Sequence, residues 1–253
     1  MTPTLSITYW PGRIRIDCNE RGFAKQNIEA ICRICKSTKS GRSKSAGFVG
    51  EKGIGFKAVF KVASTVWISS GHYQFRFNRD GHLGMIAPIW DTFPAVKNPQ
   101  GGTSIILDLD PTCDERSIAN ELAEYDPKIL MFLRRLRRIE IKVVKSSWKI
   151  LGSFNFKRVL SRQDKEPNGR AQMVMLYKDG IKSNYLMWRH MVNHMPADPR
   201  RPGITCSELV LGFPLNPNED EPVLERQDVY AFLPVKSIGF NVSIFSSMLK
   251  TRK

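Results

Sequence analysis

No stretch of the sequence approaches the run of about 18 apolar residues that a membrane-spanning helix requires. The first residues, MTPTLSITYWPGRIRIDC, lack the basic-then-apolar layout of a secretory signal. Both absences point to an intracellular chain, cytoplasmic or nuclear, with no membrane partner. Cysteine is scarce and odd in number, at five, which argues against a disulfide framework. Cys32 and Cys35 form one CxxC, but no second pair and no His-x-His lies near to complete a zinc site. In AKQNIEAICRICKSTKS, Ile28, Ile31, Cys32 and Cys35 recur at helical spacing, so both thiols read as parts of a buried helical stripe. Of four histidines, His190 and His194 are four apart; without the glutamate of HExxH or a third ligand they assign no metal.

Acidic residues are also few. Twenty-four Asp and Glu face 39 Lys and Arg, a formal charge of +15 at a pI near 9.8. The excess is spread along the chain, which suits an anionic partner such as a nucleotide or nucleic acid without marking one binding arm. Its densest cluster is Arg134, Arg135, Arg137 and Arg138, interleaved with Leu133, Leu136 and Ile139. Two readings stand: an anion-binding patch, or the solvated face of a helix end, where cations suit the negative pole of the dipole.

What is present is enough apolar residue, 42% of 253, for one large or two modest cores. TLSITYW and RIRIDCN flank a Pro-Gly and read as a hairpin. A helix follows over 25–36, then the Ser/Gly/Lys-rich STKSGRSKSAG, then a glycine cluster leading into a helical stripe of Phe56, Val59, Phe60 and Ala63. TVWISS, YQFRFN, LGMIAPI and TSIILDL read as strands. A helix from Asp114 to Arg135 and a strand at RIEIKVV close this part. Neighbouring strands with helices between them predict an α+β two-layer sandwich over 1–147, followed by a partial, β-rich region over 148–253.

The glycine cluster, GFVGEKGIGFKAVF, excludes two phosphate-binding patterns. A Walker A loop would need lysine where Phe56 stands, with Lys57 one position late. A dinucleotide fingerprint would need a carboxylate that TVWISS does not supply. G-x-x-G-x-G remains, filled by Gly50, Gly53 and Gly55. Missing side chains let backbone amides approach phosphate oxygens, and the following helix adds a favourable dipole. A tight loop-to-helix turn would use the same glycines.

Upstream stands DCNERGF and downstream GGTSIILDL. This order resembles the GHKL ATPases, the superfamily of gyrase, the ninety-kilodalton heat-shock chaperone, histidine kinases and MutL. IDCNERGF, ICKSTKS, GEKGIGFKAVFKVA, LGMIAPIW and YAFLPV look most like the histidine-kinase-like modules of No Vein-like proteins, more distantly sacsin. The resemblance implies a Bergerat-type fold that binds ATP, with hydrolysis serving shape change or a protein client. It implies that Asp17 or Asn19, with Gly22, meets the adenine. Ser37, Thr38 and Lys39 fall at the start of a mobile lid over 37–47. Gly50, Gly53, Gly55 and Phe56 fall on the phosphate loop, and Thr103 on the late strand that completes the site.

Aligned on Gly22, the family aspartate of D-x-G-x-G falls on Cys18 and its first glycine on Glu20. Asn19 is the expected substitute. The family's magnesium-binding asparagine and its general base lie on a helix ahead of the hairpin, and this sequence begins at the hairpin. No catalytic residue is therefore assigned, and Glu20 and Glu51 read as loop carboxylates. A truncated module that binds ATP weakly and does not turn it over is expected. A scaffold that keeps the fold without turnover, and a basic nucleic-acid-binding protein, are the alternatives.

Overall fold

The computed structural model describes residues 1–32, 55–96, 102–133, 135–144, 150–166, 169–196, 205–218, 221–231, 233–237, 239 and 241–246. They form two compact units. One comprises residues 1–125 and 139–154, the other 126–138 and 155–253.

In the first unit, β1 (Thr4–Trp10) and β2 (Arg13–Cys18) pair antiparallel, Trp10 opposite Arg13. Pro11 and Gly12 make the two-residue turn. Gly12 has φ +79°, the left-handed conformation that the second central residue of such a Pro-Gly turn needs. α1 (Lys25–Cys32) follows, and the Asn27 side chain accepts from the Ala24 N–H at its N-terminus. After a 3₁₀ helix (Phe56–Lys61) come β3 (Ala63–Ser70), β4 (Tyr73–Asn78), the two-residue β5 (Ile89–Trp90) and β6 (Thr103–Leu109). α2 (Glu115–Ala123) and β7 (Arg138–Val144) complete the unit. The strand order is β7-β1-β2-β6-β3-β4-β5, so β6 is inserted between β2 and β3.

One face of this sheet carries Val66, Ile68, Phe75, Phe77 and Leu107, all buried. Phe56 and Phe60 of the 3₁₀ helix stand against Phe77 with ring centroids 5.8 and 6.2 Å away. α2 is capped by Asp114, which accepts from the Arg116 and Ser117 amides. Its Glu115 then receives the Tyr9 hydroxyl at 2.7 Å and the Gly12 amide at 3.0 Å, pinning the helix to the hairpin turn. Burial, helped by the Glu115 carboxylate, pushes the Tyr9 phenol well above its usual range.

The second unit is a further antiparallel-rich sheet: β8 (Ile150–Glu166, from residue 155 on), β9 (Gly169–Lys178), β10 (Ile181–Val192), β11 (Ser207–Leu215), β12 (Asp228–Ala231), β13 (Leu233–Ser237) and β14 (Ser243–Ser246). Its order is β13-β12-β14-β11-β10-β9-β8, with one parallel pair, β12 and β14. The short α3 (Ile129–Phe132), with all four side chains buried, lies in this unit. Phe132 stacks on Phe245 at 5.3 Å and lies 4.6 Å from the Tyr230 ring.

The expected α+β two-layer sandwich is not what the chain forms. Among the described residues there are fourteen strands and four helical segments of eight, six, nine and four residues, too little helix for a second layer. The helix expected from Asp114 to Arg135 stops at Ala123, because Pro127 offers no N–H and disfavours helix at Asp126. Leu133 is already extended, so Arg135 and Arg137 are not on a helix end. The helical stripe through Phe56 is one 3₁₀ segment, since Ala63 enters β3. LGMIAPI, expected as a strand, is a series of turns as far as Ala87, in which the amides of Ile86 and Ala87 both donate to the Leu83 carbonyl at 2.8 Å, and only its last residue, Ile89, enters a strand. His190 lies on a strand and not on a helix face.

Asp110, just past β6, accepts from the Thr112 hydroxyl and amide at 2.6 and 2.9 Å and from Arg79. Together these, Thr112 first, pull its carboxyl down to about 2. A carboxyl lower in the folded than in the unfolded chain stabilises above the ordinary value of about 4 and loses that contribution as pH falls through its folded value. The stability difference between parent and Asp110→Asn should therefore be level from pH 7 to 5 and close between about pH 4 and 2. A gap that does not change with pH in urea melts would contradict the network.

Candidate functional site

Three strands end together in the first unit. The register sets Cys18 of β2 opposite Thr103 of β6, and Thr103 opposite Ser70 of β3. All three continue the apolar face, so Thr103 and Ser70 are hydroxyls in positions where the alternation calls for apolar side chains. Both are buried, Ser70 at 0% and Thr103 at 4% exposure. A buried hydroxyl needs partners, and these find them in a row. The Phe23 amide donates to Ser70 Oγ at 2.7 Å, Ser70 Oγ lies 2.6 Å from Thr103 Oγ1, and Thr103 donates to Glu20 Oε1 at 2.6 Å. An ionised carboxylate accepts only, so Thr103 spends its proton on Glu20 and Ser70 is the donor to Thr103. The chain of bonds has one direction and ends on a carboxylate.

Glycines let the backbones meet there. Gly22, Gly71 and Gly102 have φ of +81°, +59° and +92°. The Gly71 amide donates to the Gly102 carbonyl at 3.4 Å. A Cβ on Gly22 would lie 3.2 Å from the Gly71 nitrogen, and one on Gly102 would overlap the Cys18 carbonyl. Burial first, then the charge of Glu20, push the Cys18 thiol up, which makes it a poor nucleophile.

The residues singled out from sequence fall into three groups. Gly22 and Thr103 meet at Ser70. Asp17 faces the opposite side of the sheet, where it accepts from Ser104 Oγ at 2.6 Å and pairs with Arg15 at 2.8 Å. Asn19 is engaged with the first residues: its Oδ1 accepts from the Thr4 amide at 2.8 Å and its Nδ2 donates to the Thr2 carbonyl at 2.7 Å. Gly55 is right-handed helical, with open space where a Cβ would stand. Phe56 packs among aromatic rings. Next to it, the Lys57 ammonium lies 4.9 Å over the Phe77 ring and donates to the Met85 carbonyl. Burial lowers its pKa, an effect opposed by Cys32 at the end of α1. Ser37, Thr38, Lys39, Gly50 and Gly53, with the expected lid over 37–47, lie outside the described residues. Ser70 was missed by sequence reasoning, and Glu20 was read as a loop carboxylate without a role. The signal for Ser70 was its place in line with Val66 and Ile68, two residues apart.

The Glu20 carboxylate, aimed by Thr103 and backed by glycines that hold side chains away, is an acceptor suited to an amino group. Among the described residues there is no group of three or more His, Cys, Asp or Glu placed to hold a metal ion. No helix among them is long and apolar enough to cross a membrane.

No family model matches the chain. It is 27% identical over 272 aligned residues to Protein NO VEIN of Arabidopsis thaliana, an alignment that covers 98% of this chain and 9% of that protein. The chain thus spans less than a tenth of that relative's length. A solved structure described as "Crystal Structure of N terminal domain of a DNA repair protein" shares 9% identity at a TM-score of 0.41, covering 96% of this chain and 78% of that one. A likeness that slight carries no argument.

Proposed function

We propose that the first unit binds an adenine nucleotide, with Glu20 accepting a hydrogen bond from the amino group of the base. The observation that carries the reading is the one-directional row from the Phe23 amide through Ser70 and Thr103 to Glu20. Two buried hydroxyls fix one oxygen of a carboxylate at the head of the loop that opens α1. The motif order DCNERGF, glycine cluster, GGTSIILDL supports it, because that order resembles the nucleotide-binding GHKL modules. Sequence similarity to Protein NO VEIN supports the narrower No Vein-like assignment. The role falls on Glu20 instead of Asp17 or Asn19, whose side chains are spent on Arg15 and Ser104 and on Thr2 and Thr4. Gly50, Gly53 and Gly55 would take the phosphates. The reading is one of binding; no residue is given a role in hydrolysis.

The test is calorimetric titration of the chain with ATP and GTP beside thermal melts. ATP should bind and raise the midpoint, since a ligand of the native state alone stabilises it, and GTP should not, because its base presents an oxo group to the carboxylate. Glu20→Gln should weaken ATP about tenfold, in keeping with the loss of one charged hydrogen bond, and narrow the preference over GTP. Gly55→Ala, at a position with helical φ and room for a Cβ, should keep the melting midpoint of the free chain while weakening ATP. Equal binding of ATP and GTP, or full ATP affinity in Glu20→Gln, would overturn the assignment.

A further inference from the structure

In the second unit, arginines accumulate where the local chemistry does not favour them. Arg158 of β8 is 4% exposed. It donates to the Met131 carbonyl at 3.1 Å and to the Leu136 carbonyl at 2.9 Å, clamping the segment between α3 and β7. The same two oxygens take a second guanidinium each. Arg189 Nη2 lies 3.5 Å from the Met131 carbonyl and Arg137 Nη1 lies 3.3 Å from that of Leu136. Three guanidinium groups thus stand in a row, Arg137, Arg158 and Arg189, bridged by carbonyl oxygens. The row continues onto the sheet: Arg189 of β10 is directly opposite the exposed Arg170 of β9.

Like charges directly opposite on an antiparallel pair destabilise it. Glu208, 3.5 Å from Arg189, is a carboxylate in contact with the row. Arg137 is held below its ordinary pKa, by burial first and by Arg189 second, so the crowding of positive charge is felt in the folded chain. An anion seated along the row offsets such repulsion, and guanidinium forks match phosphate oxygens two at a time. Arginine at every inner position, in place of lysine, favours phosphodiesters over a diffuse anionic surface.

We propose that Arg137, Arg170 and Arg189, braced from beneath by Arg158, form a binding site for the phosphate backbone of a nucleic acid. The site is confined to the second unit and is independent of nucleotide binding in the first. It recruits one arginine, Arg137, from the RRLRR cluster that the sequence displays, and two residues, Arg170 and Arg189, that stand far from it in the chain.

The experiment is fluorescence anisotropy of the whole chain with a labelled single-stranded oligonucleotide at several salt concentrations. Affinity should fall steeply with salt. Arg170→Gln, an exposed position, and Arg189→Gln should each weaken binding about three- to tenfold and reduce the salt slope by about 0.7, the value for one phosphate contact on a single strand. Arg170→Lys should retain the slope. Arg116→Gln, an equal loss of charge on α2 of the first unit, should change neither quantity. Circular dichroism melts on each variant confirm that Arg170→Gln is folded if Arg189→Gln is not. Three outcomes would overturn the site: no salt-dependent binding, equal losses in Arg116→Gln and Arg170→Gln, or binding to phosphatidylserine vesicles that depends on Arg170 while the oligonucleotide is ignored.

Discussion

Gly102→Val should be among the most damaging single changes in the chain, lowering stability by roughly 3 kcal/mol. Two costs add there. The backbone has φ +92°, which a β-branched residue adopts at a strain of about 1–3 kcal/mol. A Cβ in that conformation also overlaps the Cys18 carbonyl and stands 3.1 Å from the Glu20 amide nitrogen, and both are backbone atoms that cannot swing aside. Overpacking of that kind costs about 1–3 kcal/mol more. For a chain of this length the melting midpoint should drop by roughly 6–12 °C. Gly12→Val isolates the two terms, because Gly12 has φ +79° but nothing within 4 Å of its Cβ position. It should carry the strain alone. Equal midpoints for the two variants would show that the junction of β2, β6 and the β3–β4 turn is not packed backbone to backbone. A displaced Gly102 would also move Thr103, so nucleotide binding should fail at temperatures where the variant is still folded.

The other large effect is expected at Phe77. Its ring is fully buried and lies 5.6 to 6.2 Å, centroid to centroid, from the rings of Phe56, Phe60 and Phe75. Phe77→Ala removes the member that all the others touch and leaves a cavity, so about 3–5 kcal/mol should be lost in denaturant melts. Phe77→Leu, which fills most of that volume, should cost far less. The position also bears on Lys57, whose ammonium sits over this ring. Lys57→Met keeps the stem of the side chain and removes its charge. It should be much milder than Phe77→Ala, because the aromatic cluster and not the cation is what the core requires. A loss with Lys57→Met as large as with Phe77→Ala would show that the cation–π contact dominates instead.

The amino-acid sequence determined most strands of the first unit. Alternation in TLSITYW, RIRIDC, TVWISS, YQFRFN and RIEIKVV placed β1, β2, β3, β4 and β7, and Pro11-Gly12 placed the first turn, because both signals are local: a period of two and a backbone conformation that few residues accept. It also carried the reason its own long helix failed, in Pro127. The turns at 83–87 were misread since a largely apolar run satisfies a strand template even with a glycine near its start, while Gly84 is packed against the Asn78 carbonyl in a loop. Tertiary structure alone decided the candidate sites. Asp17 and Cys18 are neighbours in sequence but lie on opposite faces, and which of them meets Thr103 depends on the register of β2 on β6, strands 85 or more positions apart. Glu20, Ser70 and Thr103 converge because β6 lies between β2 and β3, and Arg137, Arg158 and Arg189 because the carbonyls of Met131 in α3 and Leu136 just beyond it accept from them. Strand order is set by how buried surface and hydrogen bonds are shared among distant segments. No window of residues short enough to read by pattern contains that information.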